Sequence, residues 1–221
     1  MVSIHPACPV KSLLFLLLLP AFVFGQSLNE SDTTALVAKL AASRAGRMVQ
    51  ADFVETKTLP MWKDPVVESG TIAFEPPDHF LRKTNNLIVS DGKTLWMYYP
   101  EFQQVEKYPL AGHGPGQLFA ALGQAFRFEN LDSLFRISAT RLDDGFRLDL
   151  TPRSGPMRRM LRSLILDLDN SLRLRSSTML GKDGDRIETK YSNEELLSPG
   201  SIDFSFKPPA SATVVAPLGG G

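Results

Sequence analysis

Phe135-Arg136-Ile137-Ser138-Ala139-Thr140-Arg141-Leu142-Asp143-Asp144-Gly145-Phe146-Arg147-Leu148-Asp149-Leu150 decides the fold class of this chain. Phe135, Ile137 and Ala139 alternate with Arg136, Ser138 and Thr140, and Phe146, Leu148 and Leu150 alternate with Arg147 and Asp149. A period of two with one apolar and one polar face predicts strands, and the Asp144-Gly145 pair between the runs predicts a hairpin.

The same grammar extends outward in both directions. Val49, Ala51 and Phe53, then Ile72 and Phe74, then Leu95, Met97 and Tyr99 alternate upstream; Leu164, Leu166 and Leu168, then Leu172 and Leu174, Ile187, Thr189 and Tyr191, and Ile202, Phe204 and Phe206 follow downstream. Asp91-Gly92 and Asp183-Gly184 are further hairpin signals. About ten or eleven strands joined hairpin to hairpin predict a mainly β (α+β) domain: one strongly curved antiparallel sheet, an unclosed barrel with a solvated back. Helical spacing interrupts it in three places. Leu36, Val37, Leu40 and Ala41 share a helix face after the cap-competent Ser31, Asp32 and Thr33, with Gly46 as a stop. Gln117 to Phe126 predicts a helix with Leu118, Phe119, Leu122 and Phe126 on one side, and Asn130–Leu134 and Met157–Leu161 read as short helical pieces. Short apolar-faced helices have the concave side of the sheet to cover. Periodicity alone leaves both a filled core and a lidded cavity open there.

The N-terminus reads differently. Lys11 precedes an apolar run from Ser12 to Phe24, too short for a spanning helix, with Val23 and Gly25 before Gln26. We therefore expect a signal peptide over 1–25 and a single domain over 26–221, exported and monomeric. The one cysteine, Cys8, would leave with the signal. The mature chain would carry 23 basic and 24 acidic residues, a balance unsuited to gripping nucleic acid.

Catalytic parts are scarce. Past the signal the histidines are His79 and His113, and the sequence has no His-Glu-x-x-His, Cys-x-x-Cys or Gly-x-Ser-x-Gly motif. Neither an enzyme nor a cofactor or metal site is expected. Gly112-His113-Gly114-Pro115-Gly116 lacks the Lys-Ser/Thr of a phosphate loop and reads as a hinge. Asp167 and Asp169 share a strand face opposite leucines, which is the solvated side. Arg153, Arg158, Arg159, Arg162, Arg173 and Arg175 make residues 153–175 basic, read as a solvated back or as a docking patch for anionic lipid or an acidic partner. Met61 and Trp62 sit between Pro60 and Pro65; Trp62 is expected to fold back onto the barrel rim, with contact to a membrane or partner as the second reading.

Ile88-Val89-Ser90-Asp91-Gly92-Lys93-Thr94-Leu95-Trp96-Met97-Tyr98-Tyr99-Pro100 resembles the strand, Asp-Gly-Lys turn and Leu-Trp-x-Tyr strand of the LolA family, the periplasmic carriers of outer-membrane lipoproteins. Gln50 to Glu55, Ser69 to Phe74 before Pro77, and Asp203 to Pro209 with Val214-Val215 resemble further strands of that family in the same order. The resemblance implies an unclosed barrel whose helices lid an apolar cavity. It implies acylated lipoprotein or lipid cargo, taken from an inner-membrane exporter and delivered to an outer-membrane receptor. The expected cavity lining is Phe53, Ile72, Phe74, Phe80, Leu95, Met97, Phe146, Leu148 and Leu166, with Leu118, Phe119, Leu122 and Phe126 on the lid. The family's lid-fastening Arg-Pro is Pro76-Pro77 here, and a family Trp in the next strand is Arg82, so by this resemblance the latch is either missing or rebuilt, with Arg82 as the candidate. A free lipid or glycolipid carrier, and an envelope adaptor with a solid core, are the competing readings.

Overall fold

A computed structural model describes residues 25–110, 128 and 130–215. The expected lid helix, and the expected signal peptide except Gly25, lie outside those residues. Helix α1 (Glu30–Arg44) opens one turn earlier than the sequence predicted. Its cap is Asn29, whose Oδ1 accepts the Asp32 N–H at 2.8 Å, so Ser31, Asp32 and Thr33 lie inside the first turn. An extended Asn29 offers its carbonyl oxygen where the helix has unpaired N–H groups. Glu30 and Asp32 at the start and Arg44 at the end suit the helix dipole.

Thirteen strands form one sheet. In chain order they are β1 (Gln26–Ser27), β2 (Met48–Thr58), β3 (Val66–Glu75), β4 (His79–Lys83), β5 (Leu87–Asp91), β6 (Thr94–Tyr99) and β7 (Gln104–Pro109). Then follow β8 (Phe135–Leu142), β9 (Gly145–Pro152), β10 (Leu161–Asp169), β11 (Leu174–Gly181), β12 (Arg186–Leu197) and β13 (Thr213–Val215). The order across the sheet is β1-β8-β9-β10-β11-β12-β2-β3-β4-β5-β6-β7-β13. All pairs are antiparallel except β13 on β7. The sheet stays unclosed, with β1 and β13 at its edges. The surplus over the predicted strand count is mainly these two edge strands of two and three residues, too short to show a period. Two short helices, α2 (Leu131–Leu134) and α3 (Gly155–Met160), stand where the sequence placed helical turns.

Glycine is required at two of the predicted turns for different reasons. Gly92 takes φ +85° between β5 and β6. Gly145 is the first residue of β9, and a Cβ there would lie 1.8 Å from the Leu168 carbonyl oxygen of β10.

Register assigns the faces. On the concave side Leu148 of β9 lies between Ala139 of β8 and Leu166 of β10. Leu36 and Leu40 of α1 join them in a core with Phe135, Leu150 and Leu168. The convex side is not uniformly wet. Met48, Ala73 and Val89 are buried there beneath Phe204 in a second core, with Ile202, Leu197 and Phe206 packed around it. Residues 202–206, predicted as a strand, carry no ladder. They lie against the convex face, Phe206 within 5.8 Å of the Trp96 ring and Phe204 stacked on His79 at 5.4 Å. The alternation of Ile202, Phe204 and Phe206 is that of an extended strap as much as of a strand. Trp62 also departs from expectation: it is 58% exposed and Met61 94%, at the tip of the β2–β3 loop.

Candidate functional site

The concave face divides into two halves of different character. Over β8–β11 it is filled. Leu148 and Leu166 have no exposed surface, and Phe146 packs half-buried at the edge of their cluster. Three of the nine expected lining residues thus belong to the part of the face that α1 covers.

Over β2–β6 the other six come together. Phe53, Ile72, Phe74, Phe80, Leu95 and Met97 all point to the concave side, because Ile72 sits opposite Ala51, Phe74 opposite Val49 and Phe80, and Met97 opposite Ile88. The rings of Phe74 and Phe80 are 4.8 Å apart. Between this half and the end of α1 lies a cavity of about 20 Å³ lined by Val49, Ala51, Ile72, Phe74, Leu174 and Tyr191 together with the charged Arg44 and Glu194. That is water-sized. Phe53, Phe74 and Leu95 are buried, and Ile72, Phe80 and Met97 are half-buried.

Towards the end of β2 the concave face turns polar. Glu55 and Lys57 follow Phe53 on the same side of β2, and Glu68 and Arg82 face them from β3 and β4. Arg82 Nη2 donates to Glu55 at 2.9 Å and to Glu68 at 3.0 Å, and Lys57 Nζ donates to Glu68 at 2.8 Å. Thr189 Oγ1 donates to the other oxygen of Glu55 at 3.2 Å. The Arg82 guanidinium lies 4.7 Å from the Phe53 ring centroid. The candidate latch is therefore held in a quartet of two acids and two bases. Lys57 hydrogen bonding holds the Glu68 carboxyl below its usual range, against the opposing effect of burial and with help from Arg82. Beside the quartet, burial pushes the Tyr191 hydroxyl up to about 12; its oxygen lies 3.0 Å from Ser177 Oγ. Across the face, burial and a hydrogen bond to Glu106 push Tyr108 up to about 12.

Sequence reading missed the quartet. The period of two that put Phe53 inside also put Glu55 and Lys57 inside, and that was the available signal. It also missed Arg44, whose Nη2 lies 3.0 Å from Glu194 with the two side chains 4% and 8% exposed. Arg44 donates as well to the Leu172 carbonyl at 3.1 Å and sits 4.9 Å from the Phe128 ring centroid. A cleft of about 410 Å³ opens beside this pair, lined in part by Ser43, Ser171, Arg173 and Glu195.

The remaining singled-out residues fall on the outside. Asp167 receives both nitrogens of an Arg147 fork at 2.7 and 3.1 Å, and Asp169 caps the turn through the Arg173 N–H at 2.9 Å. Arg175 pairs with Asp144. Gly112 to Gly116, with the lid residues Leu118, Phe119, Leu122 and Phe126, lies outside the described residues. Among the described residues no group of three metal-ligating side chains converges.

Comparison with known proteins agrees with this architecture. The profile of the family described as "Outer membrane lipoprotein carrier protein LolA" matches residues 45–207. An outer-membrane lipoprotein carrier protein of Psychromonas ingrahamii is 28% identical over 196 residues, 86% of this chain and 90% of that protein. One from Albidiferax ferrireducens is 30% identical over 183 residues, 75% and 83% of the two chains. The structure of an uncharacterised conserved protein from Thermus thermophilus superposes with a TM-score of 0.50 at 13% identity, covering 83% of this chain and 99% of that one. A LolA superfamily protein from Nitrosomonas europaea gives a TM-score of 0.44 at 14% identity, covering 79% and 97%. An open sheet with helices on its concave side, and a profile match running from the end of α1 through the convex strap, lead to one assignment: the chain belongs to the LolA family of outer membrane lipoprotein carrier proteins.

Proposed function

We propose that this protein is a periplasmic, non-catalytic carrier that shelters the acyl chains of a lipoprotein against the β2–β6 half of its concave face. It would take that cargo from an inner-membrane exporter and pass it to an outer-membrane receptor. The observation that carries the reading is the clustering of Phe53, Ile72, Phe74, Phe80, Leu95 and Met97 on one inner surface, while α1 with its leucine core occupies the other half. Each buried methylene is worth about 0.8 kcal/mol, so an acyl chain does not leave a bilayer for water without a comparable apolar surface to receive it. Aromatic rings and Met97 adapt to chains of different shape. Leu118, Phe119, Leu122 and Phe126 enter the proposal as the lid, on the strength of the sequence. The signal over 1–25 accounts for export. Arg82 enters as the residue that would fasten the lid by exchanging a Glu55 or Glu68 contact for one on the lid.

A free lipid or glycolipid as cargo is the second reading, favoured by the ion-paired quartet on the same inner face. Four charges in a greasy half-shell contribute little to stability that packed apolar side chains would not, but they can hold a polar group drawn in with its tail. Mass spectrometry of the protein recovered from its native envelope tests both. A co-purifying acylated peptide is expected. A peptide-free lipid would replace the first reading by the second, and a reproducibly empty protein would leave the adaptor with a solid core.

A further inference from the structure

The exposed large apolar side chains of this protein are gathered at one end of the sheet. Among the described residues these are Val54, Met61, Trp62, Val67, Phe102, Met160 and Val214. Antiparallel order places the β2–β3 loop, the β6–β7 turn, the β9–β10 connection containing α3 and the β11–β12 turn at the same rim. Met61, Trp62, Phe102 and Met160 lie in those connections. Val67 and Val214 lie within two residues of the same rim, by the register of β3 and of β13 on β7. Val54, in the middle of β2, is the exception.

Three of these connections are neighbours. A Cβ on Gly184, in the β11–β12 turn, would lie 3.2 Å from Pro60 Cγ, next to Met61. In the same turn the Lys182 N–H donates to the Met160 carbonyl at 3.1 Å. The rim thus runs from Met61 and Trp62 through Lys182 to Met160, Arg158 and Arg159, with Arg162 just beyond. Arg158, Arg159, Arg162, Lys182 and Lys63 have no ion-pair partner among the described residues. Asp64, Asp183 and Asp185 are the carboxylates of the same stretch. Away from this rim Arg147 pairs with Asp167 and Arg175 with Asp144, while the exposed Arg136 and Arg173 also lack an ion pair among the described residues; what marks the rim is unpaired cations set beside exposed apolar side chains.

We infer that this rim docks the protein on a bilayer bearing anionic headgroups, with Met61, Trp62 and Met160 entering the interface and the α3 arginines with Lys182 meeting the phosphates. Trp favours the headgroup level of a bilayer, and unpaired basic side chains beside it add attraction to anionic lipid. Apolar tips carried on separate connections, with cations between them, suit a charged plane. A protein interface would instead centre on anchors sunk in a packed pocket. This inference needs no bound cargo, so it can fail while the carrier reading stands.

The test is co-sedimentation of the exported protein with sucrose-loaded vesicles. The protein is recovered from the envelope and delipidated, and its first residue is read by mass spectrometry so that the apolar run 12–24 contributes nothing. Vesicles of phosphatidylglycerol with phosphatidylethanolamine are compared with phosphatidylcholine alone. We expect at least about tenfold tighter binding to the anionic vesicles, lost in about 0.5 M salt. Met61→Ser with Trp62→Ser, and separately Arg158→Glu with Arg159→Glu, should each weaken that binding about tenfold or more. Lys93→Glu, at the opposite rim, should leave it unchanged. Equal binding to both vesicle types, no binding to the anionic ones, or an effect of Lys93→Glu matching that of the α3 reversal would overturn the inference. So would the finding that the rim variants lose only capture of an acidic protein while vesicle binding is untouched.

Discussion

Leu166→Ala and Met97→Ala form a pair that separates the filled half of the concave face from the half proposed to receive cargo. Leu166 has no exposed surface and sits between Leu148 and Ser177 on neighbouring strands, over a core closed by α1. Truncation to Ala removes three carbons, worth about 2.4 kcal/mol at about 0.8 each, and a residual cavity term brings the cost to about 3 kcal/mol. For a domain of this size that lowers the melting temperature by about 6–12 °C. Met97 lies on the same concave side but is half-buried, with Tyr99 Oη 3.7 Å from its sulfur. Its truncation should cost about 1 kcal/mol and about 2–4 °C. Acyl binding should order the two variants the other way. A spin-labelled fatty acid titrated into each folded protein should show Leu166→Ala near wild type and Met97→Ala weakened several-fold. Equal loss of melting temperature in both variants, with fatty-acid binding retained in Met97→Ala, would refute the division of the face and make β2–β6 ordinary core.

Other perturbations follow from the same geometry. Arg44→Met strands the Glu194 carboxylate in a site where both side chains are almost wholly buried, and should cost about 3–5 kcal/mol by thermal or urea unfolding; a cost under about 1 kcal/mol would show that the carboxylate finds water. Phe204→Ala removes the centre of the convex core and should cost about 3–5 kcal/mol without changing fatty-acid binding, since Phe204 lies on the opposite side of the sheet. Tyr108 and Tyr191 ionise in the folded protein near 12 instead of 10, so their neutral forms stabilise the fold below pH 10 and that contribution is lost as pH rises towards 12. Ultraviolet titration should show three of the four tyrosines ionising late, since burial and the nearby Glu106 carboxylate raise Tyr99 as well. Glu68 works in the opposite direction: its lowered pKa stabilises the fold above about pH 4.5 and is lost as pH falls, so Glu68→Gln should flatten the acid limb of the stability curve.

Alternation along single strands was legible because it is a local property. Phe135–Ala139 and Phe146–Leu150 declare their faces without any partner, and the Asp-Gly pairs declare where the chain reverses. From this the curved antiparallel sheet, the helix over Leu36–Ala41 and the turns of α2 and α3 follow. The sharing of a face by Phe53, Ile72, Phe74, Phe80, Leu95 and Met97 needed only consecutive hairpins, so it too could be read.

Tertiary structure alone decided what lies over each face. Nothing local distinguishes Leu166 under α1 from Met97 away from it, because the difference is made by a helix more than fifty residues upstream of either. The strap at 202–206 has the periodicity of a strand, and its place against the convex face follows from apolar residues at Met48, Ala73 and Val89 that leave a second surface to cover. Glu55, Lys57, Glu68 and Arg82 read as four separate polar positions along the chain; register across three strands makes them one neutral cluster on the inner face. Which side of each strand is apolar could be read from residue order, since that depends on a period of two. Where that apolar surface is filled and where it turns polar depended on contacts between residues far apart in the chain, which only folding brings within bonding distance.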